Sequence, residues 1–140
     1  MSFKVGNLFL NLPVSDLSKT MSFFGAIGFQ FNPQFTNETA ACMIIGEHNF
    51  AMLVTHGFFS QYTKKAIADA TQSTEVLIAI SVDSRENVDR ICDLALSNGG
   101  TKYSEPVDHG FMYQRAFADL DGHQWEVFWM DQSHVQPVEG

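Results

Sequence analysis

A single carboxylate near the end of the chain stands in the position best suited to chemistry. Glu126 alternates with Trp125 and Val127 in an apolar run, so its side chain points away from theirs. Such a carboxylate could act as a general base, or it could bind a cationic or hydroxyl-bearing ligand. The alternative is a solvated carboxylate, or one held by a Tyr or an Arg. Glu126 is therefore the candidate catalytic residue and a candidate ligand contact.

Three further polar residues are candidate ligand contacts. Asn11 could anchor a ligand through two hydrogen bonds, or it could satisfy a neighbouring backbone group. His109 and Tyr113 belong to the segment Asp-His-Gly-Phe-Met-Tyr, which leads into a strand at the expected mouth of a cleft. Both could donate to a ligand, or both could simply pack as turn and strand residues. The sequence contains no nucleophile elbow, phosphate-binding loop or HExxH motif.

Composition and charge exclude several classes of partner. The chain has 140 residues, 16 Asp and Glu against 8 Lys and Arg, and a formal net charge of −8. Nucleic acids and anionic membranes are bound by surplus Lys and Arg, so neither is expected as a partner. No apolar run approaches the roughly 20 residues that cross a bilayer, and no signal-peptide pattern is visible. We expect a cytoplasmic protein in which Cys42 and Cys92 are buried free thiols.

The elements that must position these residues follow one pattern, used twice. In the first half, period-2 apolar residues predict a strand over 8–14. A helix then begins after Ser15 or Asp16 and ends at Gly28. In the second half, a strand over 75–82 precedes a helix with an Asp83–Glu86 capping box. Further strands are predicted at about 29–36, 40–46 and 49–55, and at about 101–106, 111–118 and 124–130.

These elements predict one domain over residues 1–140, made of two βαβββ modules. The first module covers 5–55, a linker helix 56–72, the second module 73–131 and a polar tail 132–140. Each helix needs the apolar face of its sheet, so the opposite faces carry the remaining strand residues. Two such curved faces brought together would enclose a cleft suited to a small ligand. The side chains expected on those faces are Phe9, Asn11, Leu77, Ala79 and Ser81.

Several motifs together resemble the vicinal oxygen chelate superfamily. They are Asn-Leu-Pro-Val-Ser-Asp-Leu over 11–17, the phenylalanine pair over 23–24, Gly28 with Phe29, and Asp-Leu-Asp-Gly-His-Gln-Trp-Glu over 119–126. That superfamily contains glyoxalase I, extradiol dioxygenases, and bleomycin- and fosfomycin-resistance proteins. The resemblance implies an α+β fold with two βαβββ modules forming a curved sheet around a cleft. It also implies a homodimer.

The resemblance further implies four metal-ligand positions, one on the first and one on the last strand of each module. The matching residues are Phe9, Met52, Leu77 and Glu126, and Glu126 alone can bind a metal ion. No cofactor is therefore expected, and a divalent metal would need ligands from outside the family positions. Phe9, Met52 and Leu77 instead become candidate ligand contacts, and Ala79 on the same face as Leu77 is a further one. Metal-dependent lyase and dioxygenase chemistry is correspondingly disfavoured.

Three functions stay open at this point. The first is a metal-free binding protein for a small organic molecule, in the manner of bleomycin-resistance proteins. The second is an enzyme, a lyase or dioxygenase of glyoxalase type, with Glu126 as base or residual ligand. The third is a dimeric interaction module whose cleft is filled. Whether the chain is an enzyme is left undecided by the sequence.

Overall fold

The computed structural model of the chain describes residues 3–134 and shows two compact units with their boundary between Ala68 and Asp69. Each unit contains one four-stranded sheet, in which one strand pair is parallel and the others are antiparallel, and one long helix. The α+β architecture predicted from the repeated pattern is confirmed. The polar tail predicted over 132–140 lies mostly outside the described residues, which reach only its first short turn.

The first unit is built on a sheet of order β1-β4-β3-β2. β1 pairs in parallel with β4, and α1 crosses one face of the sheet between β1 and β2. A single 3-10 turn covers Pro33–Phe35, and it ends the second strand early because proline cannot donate to the ladder. The elements are β1 (Leu8–Val14), α1 (Leu17–Ile27), β2 (Gln30–Asn32), β3 (Ala40–Ile44), β4 (Asn49–Thr55) and a one-turn α2 (His56–Phe59).

Helix α1 has clear start and stop signals. The Asp16 carboxylate caps it by accepting from the backbone N–H of Lys19 at 3.1 Å. Gly28 ends it with a φ of 123°, a conformation that costs glycine little. Phe24 is fully buried and packs edge-to-face against Phe23, with ring centroids 4.9 Å apart. The apolar stripe of α1 packs against one face of the sheet at β3 and β4, which leaves the other face free of the helix.

The second unit repeats the arrangement with a sheet of order β5-β8-β7-β6. Its helix is capped by the Ser84 hydroxyl, which accepts from the backbone N–H of Asn87. The cap is therefore one residue later than the Asp83–Glu86 box predicted. Trp125 and Phe117 are fully buried and their rings stack, with centroids 6.2 Å apart. The elements are β5 (Leu77–Ser81), α3 (Arg85–Ser97), β6 (Val107–Asp108), β7 (Met112–Ala118) and β8 (Gln124–Met130).

Two predicted elements are wrong. No continuous strand covers 101–106: Thr101 makes an isolated bridge to Ala118, and the short β6 begins only after Pro106. The linker helix predicted over 56–72 is limited to the four residues of α2. Beyond it, the Thr63 hydroxyl and the Asp69 carboxylate accept from backbone N–H groups two residues on, and these local turns compete with helix formation.

Two smaller features agree with the sequence. Cys42 and Cys92 are free and buried, as predicted. Burial raises the pKa of the Cys92 thiol to about 11. Within residues 3–134, the helices are all too short and too polar to cross a bilayer, and the longest has 13 residues.

The turn between β7 and β8 tolerates only glycine at one position. Gly122 has a φ of 89°, and a Cβ there would lie 2.8 Å from the backbone of Ala70 and of Thr71. We expect Gly122→Ala to lower the free energy of unfolding by at least about 1 kcal/mol, from backbone strain and steric overlap together. Chemical denaturation of both proteins measures the difference.

Gly25→Ala is the matched control, since Gly25 lies inside α1 and a Cβ added there would have no neighbouring atom within 4 Å. This variant should leave stability unchanged or raise it by about 0.5–1 kcal/mol. Equal effects of the two substitutions would contradict the geometry of the turn.

Candidate functional site

Glu126 lies at the centre of the second sheet, on the face that α3 does not cover. On the central strand β8 it pairs with Ala79 of β5 on one side and with Ala116 of β7 on the other. Paired residues on neighbouring strands point to the same face, so the half-buried carboxylate stands between two methyl side chains. The exposed Ala79 leaves space beside the carboxylate that a larger residue would fill, whereas Ala116 is itself buried.

The remainder of this surface, here called the Glu126 face, is apolar or uncharged. Alternation and register place residues of all four strands on it. Of the described strand residues on this face, Glu126 is the only one with a charge. They are Leu77, Ala79 and Ser81 of β5, Gln124, Glu126, Phe128 and Met130 of β8, Met112, Gln114, Ala116 and Ala118 of β7, and Val107 of β6.

The Glu126 carboxylate has no bound partner within residues 3–134. It makes neither a hydrogen bond nor an ion pair with any side chain or backbone group described there. Within the described residues, no Tyr or Arg side chain binds the Glu126 carboxylate. The Glu126 charge is felt by Tyr103: burial, and then this charge, raise the pKa of the Tyr103 phenol to about 12. The Tyr103 hydroxyl itself donates to the carbonyl oxygen of Trp125 at 3.4 Å.

In the first unit, Phe9, Asn11 and Met52 share the sheet face that α1 leaves free, here called the Phe9 face. Phe9 pairs with Phe50 and their rings stack at 5.0 Å, while Asn11 pairs with Met52. Phe9 is about half exposed, at 49%. The Asn11 side chain is exposed and makes no hydrogen bond to any residue of the described part. The alternative in which Asn11 satisfies a neighbouring backbone group is therefore not what the structure shows.

Tyr113 lies on the opposite face of the second sheet from Glu126. It pairs with Trp129, and both occupy the face that α3 covers. Its hydroxyl donates to the Asp89 carboxylate of α3 at 2.6 Å. The structure thus gives Tyr113 a role in holding the helix on the sheet and does not bring it together with Glu126.

Ion pairs also hold α3 on the second sheet. The Arg115 guanidinium, on the same face, contacts Asp89 and Asp93 at 2.9 Å each. The hydrogen bond from Tyr113 is the main reason that the pKa of Asp89 is below its ordinary value, with Arg115 adding to it. At the start of the helix, Arg85 forms a two-pronged pair with Asp108, with N···O distances of 2.9 and 2.8 Å. These contacts are structural, and none involves the Glu126 face.

His109 lies near the start of β7, away from Glu126. Its backbone N–H donates to the carbonyl of Met112, and its ring stacks on Phe111 at 6.1 Å. Phe111 in turn stacks on His134, with centroids 4.9 Å apart. Met112 precedes the partner of Glu126 by four residues, or about 13 Å of strand. His109 therefore does not join Glu126 in one constellation.

The segment 119–126, which carried part of the family resemblance, stabilises the turn between β7 and β8. Asp119 is buried, and one of its carboxylate oxygens accepts from the backbone N–H groups of Asp121 and His123. The other oxygen accepts from the indole N–H of Trp125 at 3.0 Å. Burial raises the pKa of Asp119, because the charged form loses its water. The motif fixes the hairpin that presents Glu126.

Gln114 and Ala116 belong to the Glu126 face, although sequence reasoning missed them. A signal was available: the Asp119–Gly122 turn defines a hairpin, and counting outwards from it pairs Ala118 with Gln124 and Ala116 with Glu126. The same count puts Tyr113 and Arg115 on the other face. Arg115 lies within a strand, so its charge needs nearby acidic side chains, and Asp89 and Asp93 of α3 provide them.

A divalent transition ion does not fit the residues at the family's ligand positions. Phe9, Met52 and Leu77 provide no nitrogen or oxygen donor, and a thioether is a soft, weak ligand for such ions. Glu126 alone supplies one carboxylate. Within the described part of the chain, no group of three or more His, Cys, Asp or Glu side chains is arranged to hold a metal ion.

Comparison with known proteins finds a family match over part of the first unit and solved structures that share the fold. Residues 7–46 match the family model for the bleomycin resistance protein-like N-terminal region. The hypothetical protein SA1046 from S. aureus is 28% identical, with 91% of this chain and 95% of that one covered and a TM-score of 0.75. No curated protein gives a significant match.

Two more distant solved structures share the fold. A glyoxalase-related enzyme from Fulvimarina pelagi is 18% identical, with coverage of 95% of this chain and 91% of that one and a TM-score of 0.76. The fosfomycin resistance protein FosX from Mesorhizobium loti is 15% identical, with coverage of 92% and 93% and a TM-score of 0.64. Together they show that this chain has the glyoxalase-like fold that the motifs imply, and residues 7–46 carry the match to the bleomycin resistance protein-like region.

The structural role of Tyr113 can be tested by removing its hydroxyl. We expect Tyr113→Phe to lower the free energy of unfolding by about 1 kcal/mol at neutral pH, because Asp89 loses a hydrogen bond. Asp89 has a lowered pKa in the folded state, so this stabilisation exists above the ordinary aspartate pKa and is lost as pH falls through the lowered value. The difference from the parent protein, followed by chemical denaturation at several pH values, should therefore shrink in acid.

Tyr62→Phe is the control, since Tyr62 is 72% exposed and its hydroxyl has no bonded partner among the described residues. It should change stability by less than about 0.5 kcal/mol at every pH. A Tyr113→Phe effect that stays constant through the acid range would contradict the pairing with Asp89.

Proposed function

We propose that this chain binds a small organic molecule without the help of a divalent metal ion. The observation that carries the proposal is the exchange of donors for apolar side chains at the family's ligand positions. Phe9, Met52 and Leu77 offer carbon and thioether surface, which attracts an apolar guest through the hydrophobic effect. The side chains that favour a guest are those that disfavour a metal ion.

The exposure of these faces supports binding. Phe9 and Leu77 are 49% and 54% exposed, although each unit has buried other apolar residues. Exposed apolar surface of this kind, edged by polar groups, is typical of ligand sites. Asn11 on the Phe9 face and Glu126 on the Glu126 face each provide polar atoms with no partner among the described residues, and each could orient a guest bound to its own face. We propose both as ligand contacts.

An enzymatic role is the second candidate, and one observation favours it. The Glu126 carboxylate is half-buried and lacks a partner among the described residues, which leaves its oxygens available to accept a proton from a substrate. A lyase step that needs a general base would fit this arrangement. No second acid or base on the Glu126 face completes a catalytic pair among the residues described there. Binding is therefore the function that the geometry supports best.

Thermal denaturation with a panel of aromatic and aliphatic amines, alcohols and acids tests the proposal. We expect some of these compounds to raise the Tm of the metal-stripped protein, because binding to the folded state stabilises it. Ala79→Leu should abolish the rise by filling the space beside Glu126. Ala66→Leu, at an exposed position outside both sheets, should leave the rise intact.

Elemental analysis of the purified protein supplies the opposing outcome. A stoichiometric Zn, Ni, Mn or Fe ion that resists dialysis, and that Glu126→Gln releases, would overturn metal-free binding and favour the enzyme. A panel that gives no shift in Tm with any compound would favour an interaction module whose faces are covered by protein.

We also propose that the chain acts in the cytoplasm as a homodimer, as the family resemblance implies. Sedimentation velocity of the purified protein should give a mass near twice 15.7 kDa. A mass of one chain over the full concentration range would contradict the dimer.

A further inference from the structure

We infer that the Glu126 face selects an organic cation, a protonated amine carried on an apolar body. The inference rests on the proposed function and specifies the chemical class of its ligand. Its basis is the juxtaposition of one unpaired carboxylate, two flanking alanines and a surround of uncharged, mostly apolar side chains, all on the same face of one sheet in the described part of the chain.

The charge on this face is uncompensated among the described residues. Arg115, the strand cation nearest in sequence, points to the other side of the sheet and is already paired with Asp89 and Asp93. Because this carboxylate has no partner among the described residues, a positively charged group from outside gains both an ion pair and charge-assisted hydrogen bonds. A neutral hydroxyl gains one weaker hydrogen bond, and an anion is repelled.

The shape of the face limits where the cation can sit. Ala79 and Ala116 are the direct neighbours of Glu126 on the two adjacent strands, with strand spacing of about 4.8 Å. Ala79 is exposed, and its small side chain leaves room for an ammonium group beside the carboxylate on the β5 flank, whereas the buried Ala116 leaves the β7 flank closed. A longer side chain at position 79 would cover the carboxylate and exclude the ligand.

The surrounding side chains determine the rest of the ligand. Leu77 lies diagonally from Glu126 on β5, and Phe128 follows two residues along β8 on the same face. These groups can pack against an aliphatic or aromatic body but offer it no hydrogen bond. The net charge of −8 also raises the local concentration of cations near the protein. A lipophilic amine supplies the positive charge, fits the space beside the carboxylate and packs its body against the apolar neighbours.

Three probes of matched size test the inference: 4-phenylbutylamine, 4-phenylbutan-1-ol and 5-phenylpentanoate. Each is titrated into the full-length isotope-labelled protein, and backbone amide shifts of Ala79, Ala116 and Phe128 report binding on the Glu126 face. We expect the amine to bind about tenfold more tightly than the alcohol, and the acid to bind weakest. The affinity of the amine should fall as salt is raised, while that of the alcohol stays constant.

Variants assign the preference to one carboxylate. Glu126→Gln should bring the affinities for the amine and the alcohol to within about twofold of each other, with the affinity for the alcohol retained. Glu86→Gln is the matched control, because it removes the same charge from an exposed site at the start of α3. It should keep the preference for the amine. If Glu126→Gln fails to fold, the order of the three probes and its salt dependence in the parent protein decide the question.

The outcomes separate the inference from the function on which it rests. Equal binding of amine and alcohol to this face would overturn cation selection and leave small-molecule binding in place. A preference for the amine that survives Glu126→Gln would also overturn it. Absence of binding by all three probes, with no shift in the amides of the face, would overturn cation selection and count against small-molecule binding on this sheet.

Discussion

The contact between Asp119 and Trp125 sets the register of the second unit. One carboxylate holds two backbone N–H groups of the turn and the indole N–H of the first large core residue of β8. The hairpin register is thereby tied to the core, because Trp125 can be buried only when this turn closes in one way. A slip of one residue would send Glu126 towards α3 and expose Trp125. The position of Glu126 on the open face therefore depends on a buried aspartate that lies outside that face.

Polar side chains on the two faces of the second sheet differ in whether they have partners within the unit. The covered face carries Tyr113 and Arg115, each already bonded to acids of α3, so its charges are compensated within the unit. The open face carries one carboxylate with no partner in the described structure. Compensated charge attaches a helix, whereas uncompensated charge is available to something outside the chain. This distinction separates structural from candidate binding residues more sharply than residue type does.

Much of the fold could be predicted from sequence because hydrophobic periodicity is a local property. The alternation of β1 and the caps of α1 are written in neighbouring residues, and the helices and most strands follow from them. The failures lie where local signals compete. The strand predicted before Pro106 is only an isolated bridge at Thr101. Local turns at Thr63 and Asp69 stand where a helix was predicted. The candidate site was predicted in part. The face on which Glu126 lies follows from its alternation with Trp125 and Val127 within one strand. The face on which Tyr113 lies depends on how β7 pairs with β8 across the hairpin, which is not a local property.

The pair of alanines beside Glu126 lies on two different strands, so each can change without the other. Replacement of Ala79 alters one flank of the acid, at an exposed position where a larger side chain costs little stability. Replacement of Ala116 alters the other flank, at a buried position where added volume is expensive. Divergence of ligand preference among relatives should therefore proceed asymmetrically, with the β5 flank varying freely and the β7 flank kept small.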